Sequence, residues 1–427
     1  MFHLSWFVGN GYSVDSWRGP WSGSGAHDWM KPRIYTDAAQ ALERAGFDYM
    51  MFEDGLMIPD AYEGRLDAAL RYNSECPRLD PTILVGIVGQ ATKHIGLIPT
   101  ISTSFYPPFM AARTLVTLDH LTDGRAGGNL VTSSSHRAAQ NFGFDEHFDH
   151  DLRYEMADEW VQVVTKLWDS WEPGAVVADV ENDIWADGSK VHDINFEGRF
   201  FKSRGPLNAP PGPQGHPVIS QAGGSPAGRE FAARNSDTII SVPLGVEAMK
   251  AYREDISARM IANGRKPSDC KVMYLVSPVV AETDEAAQDE YARRMAAHES
   301  EGYIARALLT MSYFSGVDFS KFDLDKPLPD LSGQVNGHQS SMARYAKDSE
   351  DGKTLRRLAV EHDVVASIPL VGSPDTVASL MAEAMEEVGG DGFLISASLD
   401  RRSVATIADG LAPVLRRRGL IRDGYAH

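Results

Sequence analysis

The chain has 427 residues, 43% of them hydrophobic, with 8 tryptophans and 17 phenylalanines, enough to bury one large core or two medium ones. Acidic residues outnumber basic ones, 59 to 41, and a formal charge of −18 disfavours nucleic acid and anionic membrane surfaces as partners. Two cysteines far apart, Cys76 and Cys270, supply neither a disulfide framework nor a zinc pattern. With no basic leader in MFHLSWFVGNGYS and no apolar run near the ~18 residues of a membrane helix, the expectation is a cytoplasmic protein.

Phe2 to Val8 is an apolar strand running into GNGYSVDSWRGPWSGSG, a glycine-rich loop. Trp17, Trp21 and Trp29 in and after this loop predict packing against something flat, a ligand or the domain itself. Ile34, Ala38, Ala41, Leu42 and Ala45 recur at helical spacing up to Gly46, and the strand FDYMMFED follows. It ends in Glu53 and Asp54. Strand side chains alternate, so one of this pair is expected in the mouth of the sheet and the other away. A helix from Pro81 to Gly89 leads into HIGLIPTIS, whose end is again polar: Thr100, Ser102, Thr103, Ser104. Ala111 to Leu121 reads as a helix stopped by a left-handed turn at Asp123-Gly124. Arg125 to Val131 then reads as a buried parallel strand, with Asn129 and Thr132 to Ser135 forming a polar shelf at its end.

Strand–helix units whose strands end in hydroxyls and amides at one end predict a parallel sheet. At this length a closed (β/α)8 TIM barrel is favoured, with its site at the carboxyl ends of the strands. In the following helix His150 and Tyr154 are four apart and share a face near its start, where free N–H groups and the dipole, with Arg153, could grip an anion. Residues 172–217 read as an irregular β excursion. In PVISQAGGSPAGREFAARN, a strand meets Gly223 and Gly224, then Ser225 as N-cap and Pro226 as first helical residue, a natural phosphate cradle. TIISVP, KVMYLVSPVV and GFLISAS are the remaining strands. An insertion near 281–370, carrying two helical patterns and a polar connector, is a lid candidate on the same single domain. Val404, Ile407, Leu411 and Val414 form a last helix, complemented by Arg416 to Arg418 and stopped at Gly419.

The strand-end groups are mostly neutral. Glu53 and Asp54 are sequence neighbours, the wrong arrangement for a pair of hydrolytic carboxylates. His147, Asp149, His150 and Asp151 include metal-ligand types but lack a zincin pattern, and a solvated helix start explains them, so no metal is expected. Amide and hydroxyl partners with one phosphate nest suit a flavin mononucleotide, and no GxGxxG follows any strand.

The segments ARTLVTLDHLTDGRAGGNLVTSS, NFGFDEHFDHDLRYEMADEWVQVVTKLWDSW, GPLNAPPGPQGHPVISQAGGSPAGREFAA and the closing DGFLI and LAPVLRRRG resemble the bacterial-luciferase-like flavin monooxygenases. The nearest branch is similar to the nitrilotriacetate, pristinamycin and dibenzothiophene-sulfone monooxygenases, and the resemblance runs from near residue 30 to near 420. It implies a TIM barrel acting on reduced FMN from a separate NAD(P)H:flavin reductase and on O2, through a peroxyflavin that oxygenates a small organic substrate. It places flavin contacts on Asp54, Thr100, Ser102, Asn129, His150, Tyr154, Gly224 and Ser225, with Asp54 at the ring edge and His150, Tyr154 and Ser225 at the phosphate. His150 is the one candidate for a catalytic group. Trp17, Trp21 and His338 are expected to line the substrate pocket, and a homodimer or homotetramer is expected. The sequence departs from the branch at Gly128, where a large aromatic is common, which predicts an enlarged substrate space. The rivals are a deazaflavin-dependent oxidoreductase and a non-catalytic flavin-binding barrel subunit.

Overall fold

The computed structural model describes residues 1–9, 25–329, 331, 339–362 and 366–425. Eight parallel strands close into a barrel: β1 (His3–Val8), β2 (Tyr49–Phe52), β3 (Gly96–Ser102), β4 (Gly127–Val131), β5 (Val218–Gln221), β6 (Thr238–Ser241), β7 (Lys271–Val276) and β8 (Gly392–Ser396). Neighbours in the barrel follow chain order and β8 pairs with β1, so the architecture is the (β/α)8 barrel expected from the repeating strand–helix pattern.

Local chemistry sets the helices. The first, α1 (Pro32–Ala45), buries Tyr35, Ala38, Ala39, Leu42 and Ala45 and ends on Gly46, whose φ of 85° is the left-handed conformation a C-terminal cap needs. The next, α2 (Pro81–Ala91), starts where Asp80 accepts the Thr82 N–H at 2.8 Å. Its carbonyl end is closed by Arg125, whose guanidinium donates to the carbonyls of Gly89 (2.8 Å) and Ile95 (2.9 Å). Then α3 (Pro108–Leu121) packs on β4, and Asp123 and Gly124 adopt positive φ to turn the chain. The long α4 (His150–Trp168) buries Met156, Ala157, Trp160, Val164 and Leu167.

Between α4 and β5 lie two small antiparallel ribbons, Val176–Asp179 with Ile184–Ala186 and Phe196–Glu197 with Lys202–Ser203. Buried Asp119 of α3 fastens the return by accepting from the Gln214 backbone at 3.1 Å and its side chain at 2.5 Å. Two helices flank β6: α5 (Pro226–Asn235) and α6 (Val246–Ala262).

Between β7 and β8 the chain leaves the barrel. A parallel pair, Val279–Val280 with Val371–Gly372, forms the neck of this excursion. Beyond it stand α7 (Asp284–His298), α8 (Glu301–Ser315), a helix at Gln339–Glu350 and another at Leu355–Glu361. These bury their own apolar cluster, with Ile304, Leu308, Met311, Phe319, Leu355 and Leu358 at its centre. The larger core lies between the barrel and its outer helices and takes in Trp6, Leu42, Phe47, Tyr274 and Phe393. Fully burying one such side chain stabilises by roughly 1.5–3 kcal/mol. After β8 the final helical stretch begins at Arg401–Ala405, passes through a π-turn at Thr406–Leu411 and ends in Ala412–Arg417.

Candidate active site

The barrel's polar layer is set by register. Thr100 of β3 faces Asn129 of β4, and Asn129 faces Ser220 of β5. Asn129 Nδ2 donates to Thr100 Oγ1 at 2.8 Å. Its Oδ1 is buried and has no hydrogen-bond partner among the described residues. A buried amide oxygen left unmatched costs about 1–3 kcal/mol, so it marks a place where a donor is expected to dock. One turn further out, Ser102 and Ser133 share a hydrogen bond of 2.8 Å, and Ser133 takes a positive φ of 56° to bring its hydroxyl there.

These groups open on a cavity of about 260 Å³ at the carboxyl ends of the strands. Asp54, Thr100, Ser102, Asn129, His150, Tyr154, Gly224 and Ser225 all line it. Ser225 caps α5 by accepting the Gly228 N–H at 3.1 Å. The turn is packed to contact: a Cβ on Gly228 would sit 2.7 Å from the Tyr154 hydroxyl, and one on Gly223 would sit 2.7 Å from the Gly228 carbonyl carbon. Only glycine leaves Tyr154 room to reach the start of α5. His150 at the start of α4 lies against Tyr154, ring centres 5.2 Å apart, with its Nδ1 2.8 Å from Asp151. Two helix starts therefore converge with hydroxyls and an imidazole, a setting that suits a phosphate. The unmatched Asn129 acceptor and this glycine-lined cradle fit a phosphorylated, hydrogen-bonding cofactor.

Burial tunes the charged groups around this cavity. It pushes the Asp54 carboxyl up to about 6, although the Gly55 N–H donates to it at 2.8 Å. It pushes His147 down to about 4, helped by the neighbouring Arg153 charge, and lowers the Arg153 guanidinium to about 10. Arg153 lines the cavity and donates to the Phe148 carbonyl at 2.8 Å. The Tyr154 phenol is raised by burial.

Two expectations fail. Glu53 and Asp54 do not split between the mouth and the outside: both line the small cavity, because the strand ladder stops at Phe52 and alternation no longer governs the loop. Glu53 is held by Arg78 at 3.0 Å, and Arg78 also pairs with Glu75 at 2.5 Å. Gly128 does not enlarge a ligand space. A Cβ there would meet the Leu115 methyls of α3 at 3.1 and 3.2 Å, so this position faces the outer helix while its neighbour Asn129 faces in. Trp17, Trp21 and His338 lie outside the described residues. Gln221, Tyr313 and Phe314 also line the small cavity. Gln221 was within reach of the strand-end rule, whereas Tyr313 and Phe314 arrive from α8 through packing that no local pattern announces.

A second cavity of about 920 Å³ adjoins the first and runs between the barrel rim and the insertion. Phe7, Ile240, Leu275 and Phe314 line both. Among the described residues no cluster of three or more His, Cys, Asp or Glu could hold a metal ion, and no helix is long and apolar enough to cross a membrane.

A family pattern described as luciferase-like monooxygenase matches residues 11–392. The dibenzothiophene-sulfone monooxygenase of Rhodococcus erythropolis (strain XP) is 35% identical, over 99% of this chain and 94% of its own. Component A of the nitrilotriacetate monooxygenase of Aminobacter aminovorans is 33% identical, over 97% of this chain and 92% of its own. The crystal structure of a riboflavin lyase with a modified FMN and riboflavin superposes with a TM-score of 0.88 at 31% identity, covering 100% of this chain and 94% of that one. With this match along nearly its whole length, the chain belongs to the luciferase-like monooxygenase family and is an oxidoreductase.

Proposed function

We propose that this monooxygenase takes reduced FMN from a separate NAD(P)H:flavin reductase and inserts one atom of O2 into a small organic substrate. The second oxygen atom leaves as water, and the flavin gives up two electrons. The observation that carries the reading is the gathering of eight neutral or weakly charged groups around one cavity of about 260 Å³, with the Asn129 acceptor left open. Thr100, Ser102 and Asn129 would serve the ring and polyol, Asp54 the ring edge, and His150, Tyr154, Gly224 and Ser225 the phosphate. FMN, when bound, supplies the electrons that activate O2. The protein's part is to bind, orient and exclude water, and the apolar Phe7, Ile240, Leu275 and Phe314, which line both cavities, would keep water from the junction between them. His150 is assigned to phosphate binding, not to proton transfer, since its ring stands beside Tyr154 at the helix starts. The nitrilotriacetate relative is named as one component of its enzyme, which supports a separate reductase here.

We place residues 1–427 in one domain with the 281–370 insertion as a lid, acting as a cytoplasmic homodimer or homotetramer. Light scattering on the purified protein tests the assembly. The reaction is tested by supplying a generic flavin reductase, NADH, FMN and ¹⁸O2 with a panel of sulfones, thioethers, amines and organic acids. One ¹⁸O atom in a product is expected. Complete diversion of NADH electrons to hydrogen peroxide across the panel would sink the proposal.

A further inference from the structure

The larger cavity has apolar residues on both sides, and its cations divide between Arg229 at the barrel, paired with Asp255 at 3.1 Å, and a group on the insertion. On the barrel side Phe7, Ile240 and Leu275 are apolar. On the insertion side α7 turns Arg294 and His298 inward on one face, and the helix Gln339–Glu350 adds Arg344. The acids are placed elsewhere. Among the described residues only Glu53 and Glu75 line this cavity, and both are ion-paired with Arg78, at 3.0 and 2.5 Å. Glu53 also borders the smaller cavity, so this acidic pair sits at the inner end. The outer end is cationic in a chain of net charge −18. There Arg294 keeps Glu290 at 2.9 Å, but that pair is half exposed and weakly held. Arg344 lies over the Tyr345 ring at 5.2 Å and has no carboxylate partner among the described residues. A guanidinium without a carboxylate partner attracts an oxyanion, and its fork matches carboxylate or sulfonate geometry.

We infer that the larger cavity binds an organic acid, with its oxyanion held by Arg344 and Arg294 and its apolar portion laid along Phe7, Ile240 and Leu275 toward the smaller cavity. The inference rests on the flavin reading only for which end of the acid is oxygenated. The separation of charges gives the ligand a direction: acid outward against the insertion, oxidisable carbon or heteroatom inward. A neutral molecule of the same shape would leave the arginines without a partner and lose that orientation.

Isothermal titration of the full chain with 4-phenylbutyrate, 4-phenylbutanesulfonate and the neutral 4-phenylbutanamide tests it. The two acids should bind at least ~10-fold tighter than the amide, the difference expected of one charge-assisted contact. The preference should fall below about threefold in the Arg294→Gln, Arg344→Gln double variant and partly return with Arg344→Lys. If the double variant fails to fold, raising salt from about 0.05 to about 0.5 M on the wild type must weaken the acids and spare the amide. Equal affinity for acid and amide, or binding of neither, overturns the inference. FMN is titrated in the same samples. Acid preference without FMN affinity would overturn the flavin reading alone, whereas FMN binding without acid preference would overturn the organic-acid inference alone.

Discussion

The two cavities differ in how they are built. The smaller takes most of its lining from the ends of consecutive barrel strands and the turns just after them, held in register by the sheet. The larger takes much of its lining from an insertion with its own apolar cluster, docked over the barrel mouth. A ligand shared across a family suits the first kind of wall, because strand register fixes its position. A ligand that differs from member to member suits the second, because helices that pack as a separate cluster can exchange side chains without disturbing the barrel. On the proposed reading, cofactor chemistry and substrate choice are therefore laid on different parts of the chain.

The sharpest way to break that division is at Arg78, which ties the two together. Its side chain is almost fully buried between Glu53 and Glu75. Arg78→Met would leave two carboxylates uncompensated and should cost roughly 3–5 kcal/mol in urea unfolding. A loss below ~1 kcal/mol would mean that the joint is not structural. Next in size is Asn129→Leu, which removes the open acceptor and the bond to Thr100. FMN should bind ~10-fold more weakly while 4-phenylbutyrate is unaffected; equal weakening of both would merge the two cavities into one site.

Asp54 gives a pH test. Burial raises its carboxyl from 3.8 to about 6 in the folded protein. Between those values the folded state binds more protons than the unfolded state, so wild-type stability falls as pH rises through that window and levels off above it. Asp54→Asn removes the slope. By calorimetry the variant should melt a few degrees higher than wild type at pH 8, with the gap closing below about pH 4. A constant gap at every pH would show that Asp54 is not buried as its surroundings imply. The smallest effect is expected at Gly128→Ala, which presses outward from the barrel on Leu115 of α3. FMN affinity should change by less than about twofold, with any cost confined to stability; a larger change would return Gly128 to the cavity wall.

Much of this was legible in the sequence for a physical reason. A strand of alternating faces that ends in Thr100 and Ser102, or in Asn129, states its own inward side chains, and Gly223 to Pro226 state a capped helix start. The same rule corrects the reading of Gly128, which alternation puts opposite Asn129. It fails at Asp54, two residues past the last ladder pair, where loop geometry takes over. Tyr313, Phe314 and Arg344 were not legible at all. They reach the two cavities through packing between segments far apart along the chain, and their own helices read as ordinary amphipathic segments.

The central claim is that the glycine-lined cradle at Ser225, with His150 and Tyr154, holds the phosphate of a flavin whose ring lies among Thr100, Asn129 and Asp54. Anaerobic titration of the purified protein with dithionite-reduced FMN and with reduced riboflavin, which lacks only the phosphate, tests it most directly. The account predicts FMN binding at least ~10-fold tighter than riboflavin, as expected for charge-assisted contacts at two helix starts. Equal affinity for the two, or no affinity for either, would contradict it.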